Sequence, residues 1–174
     1  MKTLIAVAAL AAFAARAEDK KLNDPQIATI ALTAHQIDID RGKLSLHSKN
    51  AEVKQFAEQM VNDHTAGKKE VLALASKLGV KPQASDVSKS LQADARKAAA
   101  RLKKEKGAAF DKDYIDTEVA YHQAVIDAVK TVLIPGAQNA EVKTALQNTV
   151  PTLEGHLQHA KNVQAQLGGK PGAK

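Results

Sequence analysis

Several ionisable side chains stand where a helical repeat calls for apolar ones. His64 follows Met60 by four residues and Val53 by eleven, and precedes Val71 by seven, so it shares their stripe. Asp38 follows Ala34 by four and Ala31 by seven, which turns a carboxylate the same way. His122 is seven residues from both Ile115 and Val129, with Glu118 one turn below it. His156 follows Leu153 by three and precedes Ala160 by four. Neutral imidazole nitrogens and a charged carboxylate converging from facing helices can replace the hydration shell of a divalent ion. Three histidines with one acid suit zinc, iron, manganese or copper. The expected ligands are therefore Asp38, His64, His122 and His156, with Asp63 and Glu118 orienting them. Protons compete for the same nitrogens, so binding should weaken as pH falls through the ordinary histidine range, about 6.5.

The heights agree with this reading. In an antiparallel hairpin two residues lie level when they are equally far from the turn. Asp38 and His64 have their midpoint at 51, beside a turn at Lys49-Asn50. His122 and His156 have theirs at 139, and Glu118 and His156 at 137, with a turn around 136 to 138. Both pairs are thus level within about one helical turn, ~5 Å.

A second reading stays open beside the first. Buried histidines are commonly neutral structural groups, bonded here to Asp38, Glu118, Tyr114 or backbone carbonyls, in a non-enzymatic envelope or stress-related protein that binds a partner. His35 lies one turn before Asp38, His159 pairs with His156 at i, i+3, and His47 falls at a hairpin turn where solvent is expected. A ferritin-type di-iron oxidase loses its usual residues, because no Glu is followed three residues later by His. No Gly-x-Ser-x-Gly elbow and no phosphate-cradling glycine loop is present.

Positioning these residues requires long helices, and the sequence supplies them without a strand. Asn23-Asp24-Pro25 offers a cap and a first-turn proline for helix 1, about residues 24 to 48. Asn50 caps helix 2, which Gly79 and Pro82 stop. Ser85 caps an Ala/Lys-rich segment running to about Lys106, whose large apolar residues are only Val87, Leu91 and Leu102, as expected of a surface crossover. Helix 3 follows Gly107 and ends at Pro135-Gly136, and helix 4 runs from Asn139 to Gly168-Gly169. Inside helix 4, Pro151 removes a donor to the Gln147 carbonyl and should bend the helix one turn before His156. The expected fold is all-α: an antiparallel four-helix bundle, ferritin-like, with an extra crossover helix between helices 2 and 3.

Composition narrows the setting. Met1-Lys2-Thr3, the apolar run Leu4 to Ala15 and the triplet Ala15-Arg16-Ala17 read as a signal peptide over residues 1–17, with a helical domain at 18–168 and a disordered tail at 169–174. The apolar run is too short for a span of about 20 residues, and no later segment stays uncharged for that long. A periplasmic or secreted location after cleavage near Ala17 is expected, with no transmembrane segment in the mature chain. The formal charge of +6 includes Lys2 and Arg16 and drops to +4 without them. Lys103, Lys104 and Lys106 lack interleaved aromatics, which argues against nucleic acid as a partner. The absence of Cys excludes disulfides, thiolate ligands and thiol nucleophiles. Three Phe, two Tyr and no Trp leave an aliphatic, Ala-rich core.

Three segments carry a family resemblance: Phe56 to Thr65 (FAEQMVNDHT), Phe110 to Ile115 with Val119 and His122, and Val150 to Leu153 with His156, Leu157 and Ala160. Together they resemble the bacterial domain-of-unknown-function family 4142, ferritin-like envelope proteins often labelled predicted outer membrane proteins, over roughly residues 24 to 168. The resemblance implies a ferritin-like helical fold, an exported location and no settled activity. Such proteins often place Glu a few residues before a Gly on helix 1, whereas Asp38 stands four before Gly42 here, a shorter carboxylate. No amphipathic strands support a membrane barrel.

Overall fold

The structure is a computed structural model that describes residues 22–169. The expected signal peptide at residues 1–17 and the tail beyond 169 lie outside the described residues. Within them the chain is all-helical, with five long helices: α1 (Asp24–Ser45), α2 (Ala51–Lys77), α3 (Asp86–Leu102), α4 (Gly107–Ala128) and α5 (Ala140–Gly168). The α4 rod continues through a π-helical turn, Val129–Leu133, and a last α-turn, Ile134–Gly136. No helix among the described residues is long and apolar enough to cross a membrane.

The caps explain the boundaries. Asn23 accepts from the Gln26 amide while Gln26 bonds back to the Asn23 amide, a reciprocal capping box with Pro25 in the first turn. Asn50, Ser85 and Asn139 accept from first-turn amides of α2, α3 and α5. At the end of α2, Val80 N donates to Ala75 O and Gly79 N to Ser76 O, and Gly79 takes φ 65°, a left-handed stop suited to a residue without Cβ. Helix 1 ends at Ser45, about a turn short of the expected 48, because Leu46–Asn50 already form the reversal into α2.

Helices α1 and α2 pack along each other, as do α4 and α5, while α3 lies across α1 and α4 and α2 touches α5. At Gly42 an added Cβ would stand 2.8 Å from Val61 Cγ2 and 3.0 Å from Ala57 O, so a glycine permits the close α1–α2 contact. The Asp24 carboxylate accepts from Gln138 N and Asn139 N, both at 2.9 Å, fastening the start of α1 to the α4–α5 turn. Helix α3 buries Val87, Ser88, Leu91 and Leu102, and its other residues are exposed or half-buried.

The apolar core divides. One cluster gathers Ile27, Ile30, Ile126, Leu133, Leu146 and Leu153; another gathers Val53, Phe56, Met60, Tyr114, Ile115 and Ala160. On α4 the first contains Ile126 and the second Ile115, and Glu118 and His122 fall between them. A polar layer thus interrupts an otherwise aliphatic interior, where burial disfavours any polar group without a partner.

Candidate metal centre

Each long helix except α3 contributes to that layer: His35, Asp38 and Arg41 from α1, Asp63 and His64 from α2, Glu118, Tyr121 and His122 from α4, and His156 from α5. Asp38, His64, Glu118, His122 and His156 are all buried, whereas Asp63 sits at the edge with 42% of its side chain exposed. The His64, His122 and His156 rings approach each other with centroids 5.2 to 5.8 Å apart. Each can offer one nitrogen such that the three atoms lie within 4.8 Å of one another.

The hydrogen bonds sort the ring nitrogens into two kinds. His64 Nδ1 lies 3.0 Å from His35 Nδ1, His122 Nδ1 is 3.1 Å from the Glu118 carbonyl oxygen, and His156 Nε2 is 2.9 Å from Asp63 Oδ2. The opposite nitrogens, His64 Nε2, His122 Nε2 and His156 Nδ1, are buried and have no hydrogen-bond partner. Because the Glu118 carbonyl and the Asp63 carboxylate can only accept, His122 Nδ1 and His156 Nε2 carry the protons, and their other nitrogens present lone pairs inward. That pattern, one nitrogen anchored and one bare, is how imidazoles are held for an ion.

A carboxylate–guanidinium layer lies directly beneath. Arg41 Nη2 is 3.1 Å from Asp38 Oδ1 and Arg41 Nε is 3.2 Å from Glu118 Oε1. The guanidinium also stacks 4.0 Å over the Tyr121 ring. The remaining acid oxygens face the histidines: Asp38 Oδ2 is 3.5 Å from His64 Nε2, and Glu118 Oε2 is 3.4 Å from His122 Nδ1. Asp38, Glu118 and His122 also form a compact group of donors, but Arg41 already pairs with both acids in it.

Burial and charge set the protonation. Burial, reinforced by the neighbouring His122, His35 and His156, holds His64 down at about 2. Burial likewise lowers His35 to about 4 against the pull of Glu70, and lowers His156 against Asp63. Burial also works on His122, but hydrogen bonding to Glu118 and the charges of Asp38 and Glu118 outweigh it, so His122 is displaced upward. Burial raises both Tyr114 and Tyr121 well above the usual phenol range. With His35, His64 and His156 neutral, the two buried carboxylates face the Arg41 guanidinium and the His122 ring, and once His122 gives up its proton the layer retains negative charge for a cation to balance.

All four expected ligands and the expected orienting pair are therefore brought to one layer. His47 is exposed, and His159 turns aside to Gln59 Oε1 at 2.8 Å. Pro151 lies on the exposed side of α5. Sequence reasoning missed Arg41 and undervalued His35. Arg41 stands seven residues after Ala34, which was a signal of its inward position. His35 owes its place to Gly67, where a Cβ would come within 2.5 Å of His35 Cε1.

Fold and site together define an all-helical protein with a buried histidine–carboxylate group. The sequence profile described as Domain of unknown function (DUF4142) matches residues 8–163, and the chain belongs to that family. No curated protein matches it in sequence. Among solved structures it is similar to CopM in the Cu(II)-bound form, with a TM-score of 0.64 and 15% identity over 83% of this chain and 98% of that chain. At that identity the likeness speaks for the fold.

Proposed function

We propose that this protein binds one divalent transition-metal ion between α1, α2, α4 and α5, with His64, His122 and His156 as nitrogen ligands and Asp38 as the oxygen ligand. One observation carries the proposal: three imidazoles from three helices each keep a bare, buried nitrogen while the other is anchored. Asp63 and the Glu118 carbonyl act as orienting partners. Three neutral nitrogens and one carboxylate are donor types that zinc and copper accept, and that iron or manganese would supplement with further oxygen ligands.

The likeness to CopM in the Cu(II)-bound form makes copper the first ion to test. The apolar leader supports export to the periplasm or beyond, and the arrangement of α1, α2, α4 and α5 supports a ferritin-like four-helix plan with α3 as crossover. Arg41 belongs to the structural part of the layer, since it compensates Asp38 and Glu118 whether or not an ion is bound.

Elemental analysis of protein purified from its native compartment, followed by titration of copper, zinc, iron and manganese into the metal-free chain, tests the reading. It expects one ion per chain and its loss in His64→Ala. Failure of every ion to bind below millimolar concentration, with metal content untouched by His64→Ala, would return the histidines to a purely structural role.

A further inference from the structure

His35 lines two cavities at once. The larger, about 290 Å³, runs between α1, α2 and α5 and is walled by Ala31, Leu74 and Leu146, with the exposed Glu70 and Ala145 at its rim. The smaller, about 60 Å³, is bounded by Asp38, His64 and His122. Ala31, His35, Leu146 and Thr149 belong to both linings, so these four residues form the partition between the solvent side and the histidine group. On the outer side Glu70 is the anionic neighbour of His35, and on the inner side His35 Nδ1 is 3.0 Å from His64 Nδ1. Gly67 lies between Glu70 and His64 on α2, and its missing Cβ leaves the room that the His35 ring occupies.

We propose that the α1–α2–α5 cavity is the loading route of the metal centre and that His35 is its relay ligand, receiving the ion at the inner end of the cavity and passing it into the smaller cavity lined by His64 and His122. The inference rests on the metal-binding reading above. Most of the cavity wall is aliphatic, so an ion shedding water there gains nothing from the lining and depends on the few donors along the way. Glu70, His35 and His64 provide such donors in sequence: a carboxylate at the rim, a half-buried imidazole and a buried one. The handover is a ligand exchange across the inner cavity, in which the bond to His35 breaks as bonds to the bare nitrogens of the histidine group form, with no change of oxidation state. Passage through the partition controls rate without altering the bound state, as a gate does.

Stopped-flow mixing of metal-free protein with Cu(II), read by quenching of tyrosine fluorescence, measures loading, and an EDTA chase measures release. Tyr121 reports well, since its ring lies 6.0 Å from that of His122. Ala31→Leu and Thr149→Leu plug the partition from opposite walls. Each is expected to slow loading and release together by about tenfold, leaving the equilibrium affinity in place. Ala99→Leu, in the separate groove between α1 and α3, should change neither rate. His35→Ala widens the passage yet should slow loading by about tenfold; faster loading in that variant overturns the relay. Tight Cu(II) binding with unaltered rates in both plugging variants overturns the route and leaves the metal centre standing. Absence of Cu(II) binding in the wild-type chain overturns both.

Discussion

The Asp63 carboxylate accepts a hydrogen bond from His156 Nε2 at 2.9 Å, and so settles which nitrogen of a buried histidine faces the interior. Asp63 is half in solvent and His156 is buried, so the bond reaches from the edge of the protein to its centre. Asp63→Ala should therefore weaken Cu(II) or Zn(II) binding by about 10–100-fold through loss of ring orientation. An exposed side chain contributes little to folding, so urea unfolding of the metal-free variant should shift by less than about 1 kcal/mol. Unchanged affinity, measured by competition with a chelator, would remove Asp63 from the site.

His122 should give up a proton when the ion arrives. Its upward displacement by Glu118 and Asp38 means the imidazole carries charge at higher pH than an ordinary histidine. A ligand must be neutral, so the ion displaces that proton, and calorimetry in buffers of different ionisation enthalpy should register proton release on binding at any pH where His122 is charged. Affinity should fall as pH drops below the His122 value. Binding without proton release would place the ion elsewhere.

The metal-free protein should be acid-sensitive through His35 and His64. Both are neutral when folded, at about 4 and about 2, against an ordinary 6.5 when unfolded. Between those values the unfolded chain holds more protons, so their stabilising contribution is complete above pH 6.5 and is lost as pH falls. Each histidine contributes a slope of up to about 1.4 kcal/mol per pH unit. His122 works in the opposite sense, stabilising at low pH and losing that effect as pH rises through its folded value. His156, also lowered by burial, acts in the same sense as His35 and His64, so three groups oppose one and urea midpoints should fall from pH 7.5 to pH 5; a rise would contradict the assigned protonation states.

Arg41 should be more important for stability than for ion binding. It is the guanidinium paired with both Asp38 and Glu118, and burial leaves those acids no water to turn to. Arg41→Leu should cost about 3–5 kcal/mol in the metal-free state, because it strands two buried carboxylates. A divalent ion partly restores the missing charge, so the thermal shift on adding Cu(II) should be larger in Arg41→Leu than in wild type. Equal shifts would mean that the ion and the acid layer are electrostatically independent.

The capping residues Asn23, Asn50, Ser85 and Asn139 were legible because capping is local, written within four residues of sequence. The inward positions of Asp38, His64, Glu118, His122 and His156 were legible for a related reason: helical repeat fixes direction, and distance from a turn fixes height. Arg41 was hidden by its type, since a lone arginine on a helix reads as solvated until partners from another helix are known. The roles of His35 and Gly67 depend on a ring from α1 filling a missing Cβ on α2, a relation between residues 32 apart. The bonds from Asp24 to Gln138 and Asn139 likewise join opposite ends of the chain. Such contacts follow from packing and leave no local pattern.

X-ray absorption of the protein loaded with one equivalent of Cu(II) or Zn(II) tests most directly whether the three imidazoles share an ion. The account predicts three imidazole nitrogens at about 2.0 Å in the first coordination shell, with one oxygen, and loss of one imidazole in each of His64→Ala, His122→Ala and His156→Ala. A shell of oxygens alone, or one whose imidazole count is unchanged in all three variants, would contradict it.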